Sequence, residues 1–556
     1  MRTPPPAARA FAAGLAGGAL TVAVVTVVAR VVGLGRWVVF SKTVGGGCLA
    51  DAYNTANLLP NVLFEVVAGG ALAGAVVPVL AGAVARSDRA AIDRTVSALL
   101  SWTLLLLLPV SVVTALVARP AVKALLGDAV DCAGAVDAAT RMLLMFTPQL
   151  VCYGLAVVLG GTLQAHRRFL AAAVAPLVSS AVVIGAYLSF VALADGERAV
   201  AAVPRSAEAA LAVGTTLGVA SLALTVALPV RATGVRVRPT LTFPDGVRPR
   251  VRALAAAGIA VLLAQQVTLL VIAWLANHSG DPGALTAYTW AWAVYLVPYA
   301  VLAVPIATST FPRLAAAADA GDRDTVARLT ASTTRAVVLV SAGGAALIAA
   351  ARAPIAQVFA TNGGLADAGV LADGIGVFAP GLLGFGLVAH LTRVLYAGHH
   401  GRAAAGAAVT GWLLVILADV LVVAAAPDRN TVAALGAGNT VGMTAAGVLL
   451  VLAVKRAHGG VALAGLGRTA AVAVGAGVVA AELGNLVGLI FADSGFAGAL
   501  AGTAASGALA ALVFLALVAA GDRATLGTLD PRRPPTTDDI RSDITTDVIR
   551  SEGGVG

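Results

Sequence analysis

Fourteen apolar runs, each close to the ~20 residues an α-helix needs to cross a bilayer, occupy most of this 556-residue chain. They fall at about 17–40, 61–84, 97–117, 141–163, 170–192, 209–229, 253–276, 284–306, 335–351, 375–396, 404–425, 432–454, 469–491 and 496–519. In hydrocarbon every backbone N–H and C=O must find its partner inside the protein, which leaves helices or a closed barrel. The runs are continuous and do not alternate with period two, so a barrel is excluded. Charged residues make up only 12% of the chain, half the share of a soluble globular protein. An ordinary soluble enzyme, a disulfide scaffold and a disordered chain are thereby excluded. The predicted fold class is an all-α polytopic membrane protein of about 14 transmembrane helices.

The cations assign the two faces. Lys42, Arg119, Lys123, Arg141, Arg198, Arg205, Arg352 and Arg429 lie in the odd connections. The N-terminus and the even connections hold about 21 Arg and Lys, from Arg2 and Arg9 through Arg231–Arg252 to Arg468. The positive-inside rule then puts both termini in the cytoplasm. The net charge of +9 follows this topology and gives no reason to expect nucleic acid as a partner. The first run lacks a clear cleavage site and reads as a retained helix. The expected location is a bacterial cytoplasmic membrane, crossed many times. The expected organisation is an N-lobe at 1–229, a basic cytoplasmic linker at 230–252, a C-lobe at 253–454, two further helices at 455–521, and a disordered polar tail at 522–556.

An internal repeat sets the architecture. Residues 146–184 align without a gap on 378–416, matching Phe146 with Phe378, Pro148 with Pro380, Gly154 with Gly386, Leu163 with Leu395 and Ala165 with Ala397. Farther towards the N-terminus the offset is near 234: Ala52-Tyr53 meets Ala287-Tyr288, Pro78 meets Pro312, and Asp88-Arg89 meets Asp322-Arg323. The unit is six helices, and an even number keeps both copies in the same orientation. Two six-helix lobes facing a central cavity are the expectation for an alternating-access transporter, with helices 13 and 14 added outside the duplication.

Charges inside apolar runs mark candidate sites. Arg30 sits near the middle of the first run, where an ionised group costs at least ~2.5–3.5 kcal/mol unless it faces water or a partner. It is the candidate anion-binding residue; the alternative is a hydrogen bond to backbone carbonyls. Its repeat counterpart is Gln265, beside Gln266. Arg36 and Glu65, near the outer ends of neighbouring runs, are a candidate ion pair closing the outer face; the alternative is that each reaches separately to the interface. Asp51 and Arg393 are further gate candidates, with snorkelling as the alternative for Arg393. Asp419 is a candidate cation site, with a loop-facing carboxylate as the alternative. Glu482 is expected to support packing outside the lobes, and the acidic group around Asp319, Asp322 and Asp324 reads as a solvated loop. Cys48 and Cys132 both face outward and are candidates for a disulfide. No Walker A, H-E-x-x-H or G-x-S-x-G run occurs, so neither an enzyme nor a bound cofactor is expected, apart from a coupling Na⁺ or H⁺.

Residues 29–81, ARVVGLGRWVVFSKTVGGGCLADAYNTANLLPNVLFEVVAGGALAGAVVPVLA, resemble the opening of the MurJ (MviN) family of lipid II flippases. The matching positions are Arg30, Gly33, Arg36, Asp51, Ala52, Tyr53, Leu59, Pro60, Asn61 and Pro78. Arg168-Phe169, Ala175-Pro176-Leu177 and the L-T-R-V-L-Y-A run at 391–397 agree with it. The resemblance covers helices 1–12 and implies a member of the wider MOP exporter superfamily, of the high-GC Gram-positive type. It implies as substrate a polyprenyl-pyrophosphate-linked sugar–peptide, with Arg30, Arg36, Asn61, Gln265 and Gln266 lining the cavity. Membrane lipids and the cell-wall synthesis machinery are the implied partners. Departures from the family pattern are Trp37 where an Asp is common, Phe64 and Glu65 where an Arg pair is common, and Ala293 near a missing Arg. Alternatives are an exporter of another lipid-linked glycan or a non-transporting cell-wall scaffold.

Overall fold

The computed structural model describes residues 6–69, 76–127, 132–244, 247–360, 367–425, 430–491, 494–523 and 527. All regular elements among them are helical. Twelve are long and apolar enough to cross a membrane, thirteen with the pair Ala368–Phe378 and Gly381–Ala397, which bends by 46°. This is close to the fourteen expected. The second expected run, about 61–84, corresponds to two shorter helices flanking residues 70–75, which lie outside the described residues. Nearly all of the expected tail at 522–556 also lies outside them.

The chain divides into two compact units between His278 and Ser279. The first contains α1 (Pro6–Thr43), α2 (Cys48–Phe64), a π-helical turn (Glu65–Gly69), α3 (Val76–Ala85), α4 (Arg89–Leu116), α5 (Ala118–Leu126), α6 (Ala135–Phe146), α7 (Gln149–Ala165), α8 (Phe169–Ala194), α9 (Arg205–Arg231) and most of α10 (Val247–Ser279). Within it α8 packs on α1 and α9, α7 on α4 and α9, and α2 on α6.

The second unit contains α11 (Ala284–Pro298), a π-helical turn (Tyr299–Ala303), α12 (Val304–Asp319), α13 (Arg323–Ala350), α14 (Arg352–Ala360), α15 (Ala368–Phe378), α16 (Gly381–Ala397), α17 (Gly401–Ala425) and α18 (Thr431–His458). A 3₁₀ turn (Gly460–Leu463), α19 (Leu466–Ile490) and α20 (Phe496–Gly521) complete it. Here α17 packs on α18, α16 on α13 and α18, and α11 on α15, while α19 packs on α13 and α20.

The duplication is visible residue by residue. Both π turns, at 65–69 and 299–303, are five residues long and sit 234 residues apart. Helices α4 and α13 are both 28 residues long at the same offset, and each starts from an Asp whose carboxylate accepts a backbone N–H three residues on. Asp88 accepts from Ala91 and Asp322 from Thr325, the cap that an exposed first turn requires. A bond from the Thr325 side chain, with the one from its backbone N–H, holds the Asp322 carboxyl below its ordinary range. The short helices α5 and α14, nine residues each, again repeat at 234, and α7 and α16 are both 17 residues at 232.

Small residues set the packing. A Cβ on Gly154 of α7 would lie 2.4 Å from a Leu107 methyl of α4, and one on Gly386 of α16 would lie 2.2 Å from the Ser341 hydroxyl of α13. These glycines and their neighbours are repeat equivalents. A Cβ on Gly384 would meet the Met443 carbonyl of α18 at 2.2 Å. Apolar burial drives helices together weakly in lipid, so backbone approach through small residues carries the association.

Candidate functional site

Arg30 lies on α1, exposed, in a stretch where Val27, Val28 and Val31 are exposed as well. Among the described residues it has no ion-pair partner. One and a half turns on, the Arg36 guanidinium lies over the Trp37 ring, 5.1 Å from its centroid, a cation–π contact. Its Nε is buried without a hydrogen bond. The expected Arg36–Glu65 ion pair is not formed. Trp37, on the same helix, takes up the guanidinium, and Glu65 opens the π turn half-buried, with no ion-pair partner among the described residues.

Below Arg36 is an aromatic group that sequence reasoning did not assemble. The Phe40 ring lies 5.1 Å from both Tyr53 and Tyr187, and Tyr53 lies edge-on to Phe146 at 5.6 Å. The Tyr53 hydroxyl is 3.1 Å from that of Tyr187 and 2.7 Å from Thr215 Oγ1. Four helices thus meet at fully buried rings, and Tyr53 of the D-A-Y motif is the hub. Asp51 is buried in the first turn of α2. Asn61, just after Pro60 in that helix, donates to the Asn57 carbonyl at 2.8 Å. Cys48 and Cys132 are disulfide-bonded, with Cα atoms 5.5 Å apart, tying the start of α2 to the segment before α6.

Gln265 and Gln266 lie on α10, half-buried and buried respectively. In the second unit, Arg393 of α16 donates to the Ala389 carbonyl one turn back. Its neighbour His390 is fully buried, with Nε2 2.9 Å from Thr333 Oγ1. Asp419 is also fully buried, and both of its carboxylate oxygens lack a hydrogen-bond partner. It faces α18 where that helix has Gly438; a Cβ there would be 1.8 Å from Asp419 Oδ1. The loop-facing alternative for Asp419 is therefore wrong: the carboxylate occupies space that glycine leaves open. Among the described residues no three His, Cys, Asp or Glu side chains cluster as metal ligands would.

A cavity of about 600 Å³ opens between α13, α16, α18 and α19. Its walls are Ala, Val, Leu and Gly, with Arg352 and Glu482 as the charged exceptions. Glu482 is exposed on α19 and lines this cavity, so it does not serve packing as expected.

The class this fold defines is a polytopic helical membrane protein built from a duplicated lobe. Solved structures agree on the fold. An inward closed lipid II flippase MurJ superimposes with a TM-score of 0.70 at 16% identity, over 91% of this chain and all of that one. An inward-facing multidrug MATE transporter gives 0.64 at 14% identity, over 79% of this chain and 98% of that one. The family model described as lipid II flippase MurJ matches residues 40–504, and the chain belongs to that family. A probable lipid II flippase MurJ of Rhizobium meliloti (strain 1021) is 28% identical over 66% of this chain and 68% of its own length. Its namesake in Rhizobium tropici is 27% identical over 54% and 55%. The protein is a multi-pass membrane protein of a transporter family.

Proposed function

We propose that this chain flips lipid II, a polyprenyl pyrophosphate bearing a sugar–peptide headgroup, from the inner to the outer leaflet of the cytoplasmic membrane by alternating access. The observation that carries the reading is Arg30: an exposed, unpaired guanidinium on a membrane-spanning helix of a MurJ-family chain. A pyrophosphate headgroup cannot enter hydrocarbon unaided because its charges would lose their water. Arg30, with Arg36 beyond it, replaces that water by charge-assisted hydrogen bonds. Asn61, Gln265 and Gln266 supply neutral donors for the sugar–peptide. The lipid tail stays in the bilayer, against the apolar cavity beside α19.

The orientation has two independent supports. Arg and Lys concentrate at the N-terminus and in the even connections, the cytoplasmic side by the positive-inside rule. The Cys48–Cys132 disulfide lies at the opposite side, and disulfides persist outside the reducing cytoplasm. Outward movement of two negative charges through an inside-negative potential releases about 2.3 kcal/mol per charge per 100 mV. Asp419 is the proposed coupling site. An ionised carboxylate buried without a partner is costly, and a bound proton or Na⁺ removes that cost. The coupling ion would then favour the conformation in which Asp419 is enclosed.

The test is depletion of the protein in its own host, followed by identification of the polyprenyl-linked intermediate that accumulates in the inner leaflet. Trapped lipid II, rescued by the wild type but not by Arg30→Ala, is the expected result. Normal lipid II with another trapped glycan would move the protein to a sister exporter role. No trapped intermediate would favour a scaffold for the cell-wall machinery.

A further inference from the structure

The segment after α9 is held against α4 by a ladder that sequence reading gives no hint of. Asp93, Ser97 and Ser101 recur every four residues on one face of α4. Their side chains accept the backbone N–H groups of Arg236, Arg238 and Thr240 at 3.0, 3.0 and 3.1 Å. Four residues of helix rise about 6.0 Å, and two residues of extended chain advance about 6.6 Å, so the two spacings match. The residue between the last two rungs, Pro239, has no N–H to place. One residue beyond the ladder, Trp102 Nε1 donates to the Leu241 carbonyl at 3.0 Å.

The ladder fixes where the side chains go. Val235 packs on the core made by α3, α4 and α7, whereas Arg236 and Arg238, on the opposite face, line a cleft of about 390 Å³ with Arg94, Ser97 and Thr240. Asp93 is the one acid in its wall among the described residues, and its carboxylate is engaged with the Arg236 N–H. None of the three guanidiniums has an ion-pair partner among the described residues. Exposed apolar side chains adjoin this charge: Val237 and Leu241 on the segment, and Leu105, Leu106 and Leu108 farther along α4, which begin about 16 Å from Arg94 along the helix axis.

We propose that this cleft binds the phosphodiester of an anionic phospholipid, its acyl chains lying along the exposed leucines of α4. Three guanidiniums held by a fixed backbone suit a phosphate, which Arg recognises through paired N–H donors. The adjoining apolar surface favours a lipid over free phosphate. Basic clefts at the ends of membrane helices take acidic headgroups in this way. The site is separate from Arg30 and stands whichever headgroup the chain transports.

The experiment uses the full chain in nanodiscs of phosphatidylcholine titrated with phosphatidylglycerol, with binding read by native mass spectrometry of the lipid retained. Arg236→Gln/Arg238→Gln leaves every rung of the ladder in place, because the rungs use backbone N–H groups. It should weaken phosphatidylglycerol about thirtyfold, about fivefold for each guanidinium. Arg167→Gln/Arg168→Gln, which removes two cations outside the cleft, should change it by less than about twofold. Equal losses in both variants, or none in the first, would overturn the site. Displacement of the lipid by 10 mM inorganic phosphate would show that the cleft reads phosphate without regard to the acyl chains, and would overturn the lipid assignment.

Discussion

Arg141 of α6 and Glu208 of α9 form the best-made ion pair in the described structure, and their unequal burial makes a sharp prediction. Nε donates to Oε1 at 2.8 Å and Nη2 to Oε2 at 2.6 Å, a two-pronged contact. The Glu208 side chain is 5% exposed and that of Arg141 28%. Removing one partner of a buried pair costs about 3–5 kcal/mol because the other charge is left uncompensated. Glu208→Ala leaves a guanidinium that can still turn to water, so its cost should fall at or below the lower figure, about 2–3 kcal/mol. Arg141→Ala leaves the more deeply buried partner, the Glu208 carboxylate, uncompensated, and should cost about 5 kcal/mol. The double variant Arg141→Met/Glu208→Leu, which removes both charges and keeps the volume, should lie within about 1 kcal/mol of the wild type. The assay is denaturant unfolding of all four proteins in mild detergent, compared as differences in unfolding free energy. Equal costs for the two single variants, or costs below about 1 kcal/mol for both, would mean that the pair is solvated like a surface ion pair and refute the reasoning.

Further outcomes follow from other contacts. Gly438→Ala should destabilise the protein by about 1–3 kcal/mol, since its Cβ would overlap the Asp419 carboxylate in a filled core; Gly438→Ala combined with Asp419→Ala should recover most of that loss. A maleimide–polyethylene glycol reagent should modify only Cys152 in unfolded, unreduced protein and all three cysteines after reduction; three before reduction would refute the Cys48–Cys132 bond. Collapsing the membrane potential with valinomycin and K⁺ should abolish flipping in vesicles, and unimpaired flipping would remove the electrical driving force. Asp419→Asn should abolish any Na⁺ or H⁺ dependence of transport while leaving the protein folded, and an unchanged dependence would place the coupling site elsewhere.

Much of the architecture is legible in the chain because the features that encode it are local. Apolar run length reports spans, and anchors such as Phe146/Phe378 and Gly154/Gly386 report the duplication, since each glycine meets an equivalent neighbour in its own unit. The breaks were harder to read. The π turn at Glu65–Gly69 interrupts an apolar run with Pro60 behind it and no polar residue to advertise it beyond Glu65 itself. The short helices α5 and α14 carry Pro and charge within nine residues and read as loops. The site was legible where a single residue contradicts its surroundings, as Arg30 and Asp419 do. It was illegible where the meaning lies in a partner: Glu208 is 67 residues from Arg141, and nothing periodic couples them. Arg36 was assigned to Glu65 because opposite charges at similar depth suggest a pair, whereas the adjacent Trp37 ring was the nearer partner.

The matched π turns have a consequence for how this chain can change. A π turn holds one residue more than a turn of α-helix, so it absorbs an extra residue while the side chains beyond it keep their phase. In the second unit the turn runs directly into α12. Deleting one residue from 299–303 should convert it to regular α-helix and leave α12 in register on α13 and α16. A deletion within α12 has no such turn to absorb it and should rotate every later side chain of that helix by about 100°. A deletion scan should therefore find tolerant windows at 65–69 and 299–303, placed 234 residues apart.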